Sequence, residues 1–261
     1  MNEEFECLNN LQPGDNHYKA YVGPPLRYDL IGAMQFNLLT SFGLRDYHKL
    51  LDIGCGSLRS GKLFIPFLRK GNYYGVEPNK WLIEEGIKYE LGSEIIKIKS
   101  PTFNHSDNFD LKSFDQTFDF IIAQSIFSHT SKAQINKCLT EVETVLATQG
   151  LFLATFVLGK DNYEGNDWVY PGCVTYQNKF IIQTVRAHNL ECIKTKWHHP
   201  NGQTWYIIFH PKNSQNIPKL VEKIFDINRL KPEPKSLKSI LMGYKIFNNR
   251  FTKHCRAILK S

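Results

Sequence analysis

The sequence lacks the features of a membrane protein, a secreted protein or a metal-binding domain. It has no run of about 18 apolar residues, the length that crosses a bilayer, and its acidic N-terminus, MNEEFECLNN, is not a secretion signal. Its six cysteines are scattered singly, without a C-x-x-C pair or a Cys/His set at zinc spacing. This pattern is typical of reduced thiols and excludes a disulfide framework. We therefore expect a soluble, cytoplasmic protein with no bound metal.

Positive charge is concentrated at one end of the chain. The net charge is +7, but residues 211–261 hold 12 Lys or Arg against 3 Asp or Glu, a local +9 that leaves −2 elsewhere. A basic amphipathic helix is predicted there from about Ser236. Such a helix could lie on an anionic membrane surface, hold RNA, or pack on its own domain or a second subunit. The sequence leaves these alternatives open and does not determine the oligomeric state.

Between residues 49 and 209, short apolar runs alternate with helical patterns, which indicates an α/β protein with a mainly parallel sheet covered on both faces. Strands are predicted at KLLDI, YYGVE, PTFNH, FDFIIAQ, LFLATFV, LECIKTK and QTWYIIF, and helices at 57–69, 79–90, 131–147 and 177–188. The last two strands are joined only by WHHPNG, so the final strand should run antiparallel to its neighbour. The predicted sheet therefore has seven strands, one of them antiparallel.

Three parts of the chain are predicted. Residues 1–45 form an N-terminal helical extension, because apolar residues from Leu30 to Leu39 recur at helical spacing and the pattern ends near Gly43. Residues 46–211 form the α/β domain, and residues 212–261 form the basic helical tail.

A glycine-rich turn, LLDIGCG, follows the first predicted strand. Gly54 and Gly56 would let the backbone approach a ligand closely. The NAD fingerprint needs a third glycine where the chain has Arg59, and no Gly-Lys-Ser/Thr of a phosphate-binding loop follows. We expect Arg59 to form a salt bridge rather than to bind a ligand. Asp52 could either meet a cationic amino group or hold the turn through hydrogen bonds.

The second predicted strand ends in Glu77, 21 positions after Gly56. In this topology a carboxylate at the tip of the second strand accepts hydrogen bonds from a ribose diol. Asp52 and Glu77 together favour a ligand with a ribose and a positive charge, which describes S-adenosylmethionine.

The motifs LLDIGCG, YYGVEPN, FDFIIAQSIFSHT and QGLFLATF resemble those of the class I S-adenosylmethionine-dependent methyltransferases, from about Lys49 to Phe156. The resemblance implies a Rossmann-like fold and methyl transfer by in-line displacement. It also implies a cofactor-binding set: Asp52, Gly54, Cys55 and Gly56 around the methionine part, Glu77 on the ribose, Asp107 near the adenine, and Gln124 and Ser125 after strand four. A third glycine, common in the family two positions after Gly56, is Leu58 here.

His129 is the candidate catalytic residue, because a histidine just past strand four could accept a proton from an attacking hydroxyl or amine. The alternative is a structural role, in which His129, Thr130 or Ser131 caps the next helix. Residues 159–177, rich in acidic and aromatic side chains, are predicted to form the acceptor wall at the carboxyl edge of the sheet.

The acceptor is predicted to be a small molecule methylated on oxygen or nitrogen, including a glycan, peptide or lipid-linked compound. Strand four continues as Gln124-Ser125-Ile126-Phe127 and lacks the Asn/Asp-Pro-Pro-Tyr signature of enzymes that methylate exocyclic amines of bases. An RNA methyltransferase anchored by the tail and a non-catalytic, methyltransferase-like binding module are the alternatives.

Overall fold

The structure, a computed structural model, describes residues 8–225. The predicted tail helix and its membrane or RNA contacts lie outside the described residues. The helices are α1 (Tyr18–Tyr21), α2 (Tyr28–Ser41), α3 (Gly61–Phe67), α4 (Lys80–Gly86), α5 (Ser93–Lys99), α6 (Lys132–Val145), α7 (Asn178–Ala187) and α8 (Asn216–Phe225). The strands are β1 (Leu50–Ile53), β2 (Tyr73–Val76), β3 (Thr102–Asn104), β4 (Phe118–Ala123), β5 (Leu146–Phe156), β6 (Glu191–Lys194) and β7 (Thr204–Phe209).

The seven strands form one sheet in the order β3-β2-β1-β4-β5-β7-β6. The first five strands pair in parallel, and β7 is inserted antiparallel between β5 and β6. This confirms the predicted α/β, Rossmann-like fold with a single antiparallel strand. The carboxyl ends of β1, β2 and β4 meet at one edge of the sheet, which is where open α/β sheets bind ligands.

The central strands are buried on both faces, so they are continuous apolar runs rather than alternating ones. All four residues of β1 and five of the six residues of β4 are buried. The core on one side of the sheet joins these strands to α6 and α7 through large side chains such as Phe127, Phe152 and Phe156. None of the helices in the described part of the chain is both long and apolar enough to cross a membrane.

Helix boundaries differ from the predictions where local backbone geometry is unusual. The helix expected from residue 57 begins only at Gly61, because the glycine-rich turn continues through Leu58, whose φ is +60°. After α4 the chain forms a π-helical turn, Ile87–Leu91, and Gly92, with a φ of +83°, separates it from α5, which was not predicted. The helix expected to end at 147 ends at Val145, and β5 follows at once.

The predicted N-terminal helix is confirmed as α2, and it packs against the glycine-rich turn. A Cβ on Gly32 would lie 2.4 Å from the backbone oxygen of Arg59, so only glycine permits this approach. The Tyr28 hydroxyl, at the start of α2, donates a hydrogen bond to the Ser57 carbonyl oxygen at 2.8 Å. The boundary at residue 45 stays a prediction.

Candidate functional site

A cavity of about 460 Å³ opens at the carboxyl edge of the sheet. Its volume is within the range of about 300–1,000 Å³ that is usual for small-molecule sites. The predicted residues that line it are Gly54, Gly56, Glu77, Asp107, Gln124, Ser125 and His129. Asp52 and Cys55 are not among the lining residues.

The glycine-rich turn leaves no room for side chains at two positions. Gly54 has a φ of +71°, and a Cβ there would lie 2.0 Å from Ile126 Cδ1. Gly56 has a φ of +54°, and its Cβ would lie 2.7 Å from Val22 Cγ1. Ile126 and Val22 both line the cavity, so the two glycines set its width.

Asp52 stabilises the turn through hydrogen bonds. One carboxylate oxygen accepts hydrogen bonds from Ser60 Oγ and Tyr73 Oη, both at 2.9 Å. Burial raises the pKa of Asp52 to about 6, although these hydrogen bonds oppose the shift. The buried Cys55 packs in the turn, and a Cβ on Gly75 would lie 2.8 Å from its Sγ. Both residues therefore act on the cavity through the shape of the turn.

Glu77 lies at the tip of β2 and is 7% exposed. Its Oε1 accepts from the backbone and side-chain nitrogens of Asn79, each at 2.9 Å, and its Oε2 accepts from Gly56 N at 3.1 Å. Burial raises the pKa of Glu77, and the bonds from Asn79 and Gly56 oppose the rise. The carboxylate thus joins the ends of β1 and β2.

Gln124, after β4, connects the cavity to a buried polar network. Its Oε1 accepts from Arg59 Nη2, its Nε2 donates to Ser125 Oγ at 2.6 Å, and its side-chain amide lies 2.9 Å from His199 Nε2. Burial, reinforced by the charge of Arg59, lowers the pKa of His199 to about 4, so the ring is neutral at pH 7, and its Nδ1 accepts from the backbone nitrogen of Asn201 at 3.1 Å. Gln203, on the chain leading into β7, donates to Ser125 Oγ at 2.6 Å.

Arg59 was wrongly expected to form a salt bridge. Its guanidinium donates to Val22 O at 2.7 Å and to Gln124, and none of the ion pairs within residues 8–225 includes it. It is 8% exposed and lines the cavity. Burial lowers its pKa to about 10, which leaves it charged at neutral pH.

His129 holds the segment that follows β5. Its Nδ1 lies 2.8 Å from Val169 O and 2.7 Å from Gly172 O, so Nδ1 carries the proton and donates. In the neutral ring, Nε2 is then the acceptor. Burial lowers the pKa of His129, so the neutral form dominates at pH 7. The helix cap is Ser131, which forms a capping box with Gln134.

Aromatic side chains also line the cavity. Trp168 and Tyr170 come from the predicted acceptor segment, and Tyr21 comes from α1. The rings of Tyr21 and Tyr170 have centroids 5.4 Å apart. Their ring planes are tilted by 44°. Asp107 is exposed at the rim of the cavity.

Sequence reasoning missed the parts of the site that come from distant segments. Gln124 and His199 are 75 residues apart, and no spacing in the sequence predicts their contact. Arg59 stands where the NAD fingerprint has its third glycine, and the sequence predicted only a salt bridge for it. Within the described residues, no group of three or more His, Cys, Asp or Glu side chains could hold a metal ion.

Residues 51–152 match a family model described as a methyltransferase domain. No curated protein matches the sequence. Among solved structures, the magnesium protoporphyrin IX methyltransferase ChlM from Synechocystis PCC 6803 with bound SAM is 12% identical, over 71% of this chain and 83% of that one, with a TM-score of 0.53.

Two other solved structures show the same degree of similarity. The glycopeptide N-methyltransferase MtfA is 12% identical over 69% of this chain and 90% of that one, with a TM-score of 0.52. An S-adenosylmethionine-dependent methyltransferase from Clostridium acetobutylicum ATCC 824 is 13% identical over 80% of this chain and 98% of that one, with a TM-score of 0.52. At these identities the likeness concerns the fold.

Proposed function

We propose that the chain, which matches a methyltransferase-domain model over residues 51–152 and shares the fold of a solved methyltransferase, is a class I S-adenosylmethionine-dependent methyltransferase and transfers a methyl group to an oxygen or nitrogen nucleophile of a small molecule. The observation that carries this proposal is one cavity with two kinds of lining. Gly54, Gly56 and the Glu77 carboxylate line it together with the aromatic side chains of Tyr21, Trp168 and Tyr170. A cofactor and an acceptor need such a shared cavity.

The two glycines and Glu77 fit S-adenosylmethionine. A carboxylate has about four acceptor positions, and Glu77 uses three of them on Asn79 and Gly56. Oε2 can therefore accept a hydrogen bond from one ribose hydroxyl. The second hydroxyl can take the place of the Asn79 side chain as a donor to Oε1. The two glycines leave the turn open to the methionine part. The roles of Asp107, Gln124 and Ser125 as further cofactor contacts are part of the proposal, and those of Asp52 and Cys55 are to shape the turn.

When bound, S-adenosylmethionine supplies an electrophilic methyl group on a sulfonium. The protein must then align the nucleophile and exclude water, and orientation alone can lower the barrier by about 7–11 kcal/mol. Tyr21, Trp168 and Tyr170 can do both by enclosing the acceptor. A general base adds a factor of about 10²–10⁴ where the nucleophile must lose a proton.

His129 is the proposed base. Its Nδ1 proton is held by two carbonyl oxygens, so an incoming proton must be taken by Nε2. The same two bonds fix the ring plane beside Trp168 and Tyr170. Positioning of the segment that follows β5 and proton transfer are therefore compatible roles of one side chain.

A small acceptor agrees with the size of the cavity and its aromatic wall. Two similar structures are a methyltransferase of magnesium protoporphyrin IX and an N-methyltransferase of glycopeptides. The alternatives, RNA methylation and a non-catalytic binding module, depend on the basic tail, and within residues 8–225 no observation favours them.

The proposal is tested by calorimetric binding of S-adenosylhomocysteine to the full chain. Loss of a charged hydrogen-bonding group costs about 1.5–3 kcal/mol, so Glu77→Ala should weaken binding by about 10- to 100-fold. Glu94→Ala, at a carboxylate that is 76% exposed, is the matched control and should bind like the wild type. Absence of binding by the wild-type protein would refute the proposal.

A further inference from the structure

Arg59 is a buried cation with no carboxylate beside it. Removing a charge from water is costly unless an opposite charge or a full set of hydrogen bonds compensates. The partners of Arg59 are the neutral oxygens of Val22 and Gln124. Asp52 acts on it electrostatically, but the two do not form an ion pair.

Two donors at the cavity also have no hydrogen-bond partner. Five buried side-chain atoms in the described part of the chain are unpaired, and two of them, Arg59 Nε and Tyr170 Oη, belong to residues that line this cavity. Arg59 and Tyr170 both line the cavity and act on each other electrostatically. Burial raises the pKa of Tyr170 to about 12, so its hydroxyl keeps its proton and can donate.

Because Arg59 and Tyr170 offer hydrogen-bond donors, their ligand must carry hydrogen-bond acceptors. Guanidinium groups have only donors, so their partner must be an acceptor, and a carboxylate offers acceptors without donors. One guanidinium balances the single charge of a carboxylate, whereas a phosphate dianion would need a second cation. The surrounding Ile126, Tyr21 and Trp168 supply apolar contacts for the rest of such a molecule.

We propose that Arg59 and Tyr170 form a carboxylate subsite, and that the acceptor is a small molecule that carries a carboxylate. The inference rests on the proposed function. Tyr170 belongs to the predicted acceptor segment, and Gln124 links Arg59 to His199 on the connection between β6 and β7. The subsite therefore combines Arg59, which follows the glycine-rich turn, with Tyr170 of the predicted acceptor segment. S-Adenosylmethionine also contains a carboxylate, and the experiment separates the two sources.

Benzoate and its neutral isostere benzamide are the probes, titrated into the full chain saturated with S-adenosylhomocysteine. We expect the wild type to bind benzoate at least tenfold more tightly than benzamide. Arg59→Gln should abolish this preference, and Tyr170→Phe should weaken benzoate severalfold without affecting benzamide. Arg69→Gln, at an arginine that is 65% exposed, is the matched control and should keep the preference.

The second arm compares S-adenosylhomocysteine with 5′-methylthioadenosine, which lacks the amino-acid part. If the acceptor provides the carboxylate, Arg59→Gln leaves both affinities within about threefold of the wild type. A loss of tenfold or more for S-adenosylhomocysteine alone would assign the subsite to the cofactor and overturn the proposal.

Equal wild-type affinity for benzoate and benzamide would overturn the carboxylate subsite while leaving the proposed function intact. Failure to bind S-adenosylhomocysteine would instead refute the proposed function. If Arg59→Gln does not fold in a thermal unfolding assay, Tyr170→Phe decides: an unchanged benzoate affinity would overturn the proposal.

Discussion

Leu58 shows how burial can offset backbone strain at a single residue. It has a φ of +60°, a conformation that costs an L-residue roughly 1–2 kcal/mol. Its side chain is fully buried, which contributes roughly 1.5–3 kcal/mol for leucine. The two effects are of similar size, so a buried leucine can replace a glycine without opening the turn.

At Gly54 a side chain would suffer both an unfavourable positive φ and a steric clash. At Gly71 it would suffer only the positive φ, so the two positions distinguish the two effects. Gly71 has a similar φ of +77°, but a Cβ there would contact nothing within 4 Å. Gly71→Ala should therefore lower the free energy of unfolding by about 1–2 kcal/mol. Gly54→Ala should cost about 1–3 kcal/mol more, the usual cost of overpacking, because its Cβ would contact Ile126.

Urea denaturation measures both free energies, and calorimetry measures S-adenosylhomocysteine affinity. We expect the affinity to fall at least tenfold for Gly54→Ala and to be unchanged for Gly71→Ala. Equal effects of the two substitutions on stability would contradict the steric explanation.

At the scale of elements, the connection from β4 to α6 organises the site. It contains Ser125, with a φ of +58°, and His129, and it ends at the capping box of Ser131 and Gln134. Backbone bonds from Val169 N to His129 O and from Val174 N to Ser128 O, both 2.8 Å, attach the acceptor segment to it. One connection therefore positions the proposed base and the aromatic wall together.

The capping box should make α6 sensitive to a small change. Ser131→Ala removes the side-chain acceptor at the N-cap and should lower the free energy of unfolding by about 1 kcal/mol. Thr140→Ala, at an exposed position of the same helix, should instead raise it by a few tenths of a kcal/mol because alanine has the higher helix propensity. Chemical denaturation distinguishes the signs, and a stabilising Ser131→Ala would show that the cap is unimportant.

For the whole molecule, buried titratable groups make stability depend on pH in opposite directions. His199 has a pKa lowered to about 4, so it favours folding above its ordinary pKa of about 6.5 and loses this contribution as the pH falls toward 4. Asp52 has a pKa raised to about 6, so its contribution is lost as the pH rises from about 4 to 6. The two partly cancel in the wild type.

His199→Gln isolates the histidine contribution, because the Asp52 effect is common to both proteins. The difference in unfolding free energy between wild type and variant should shrink by about 2 kcal/mol between pH 7 and pH 4.5. Denaturation at a series of pH values measures it. His198→Gln, at the exposed neighbouring histidine, is the control. A difference that does not change with pH would show that the His199 ring can be protonated in the folded protein.

The seven strands and the lining of the cavity by the glycine-rich turn and Glu77 could be predicted from the sequence. Apolar runs of strand length define the sheet, and the glycine-rich turn and Glu77 are local signals, because each acts within a few residues of a strand end. The fold, the antiparallel strand and the N-terminal helix were confirmed. Glu77 and the two glycines lie in one cavity as expected, and their contact with the cofactor stays a prediction.

The rest of the site was decided only by the tertiary structure. Arg59, His199 and Tyr170 come from segments separated by up to 140 positions, and each alone has an ordinary structural explanation. The salt bridge expected of Arg59 was wrong because burial, which the sequence does not display, selected neutral partners for it. The sequence determined where a nucleotide-like ligand can enter. Folding alone brought a buried cation without a carboxylate partner to the cavity, because long-range packing sets which polar groups are left without partners.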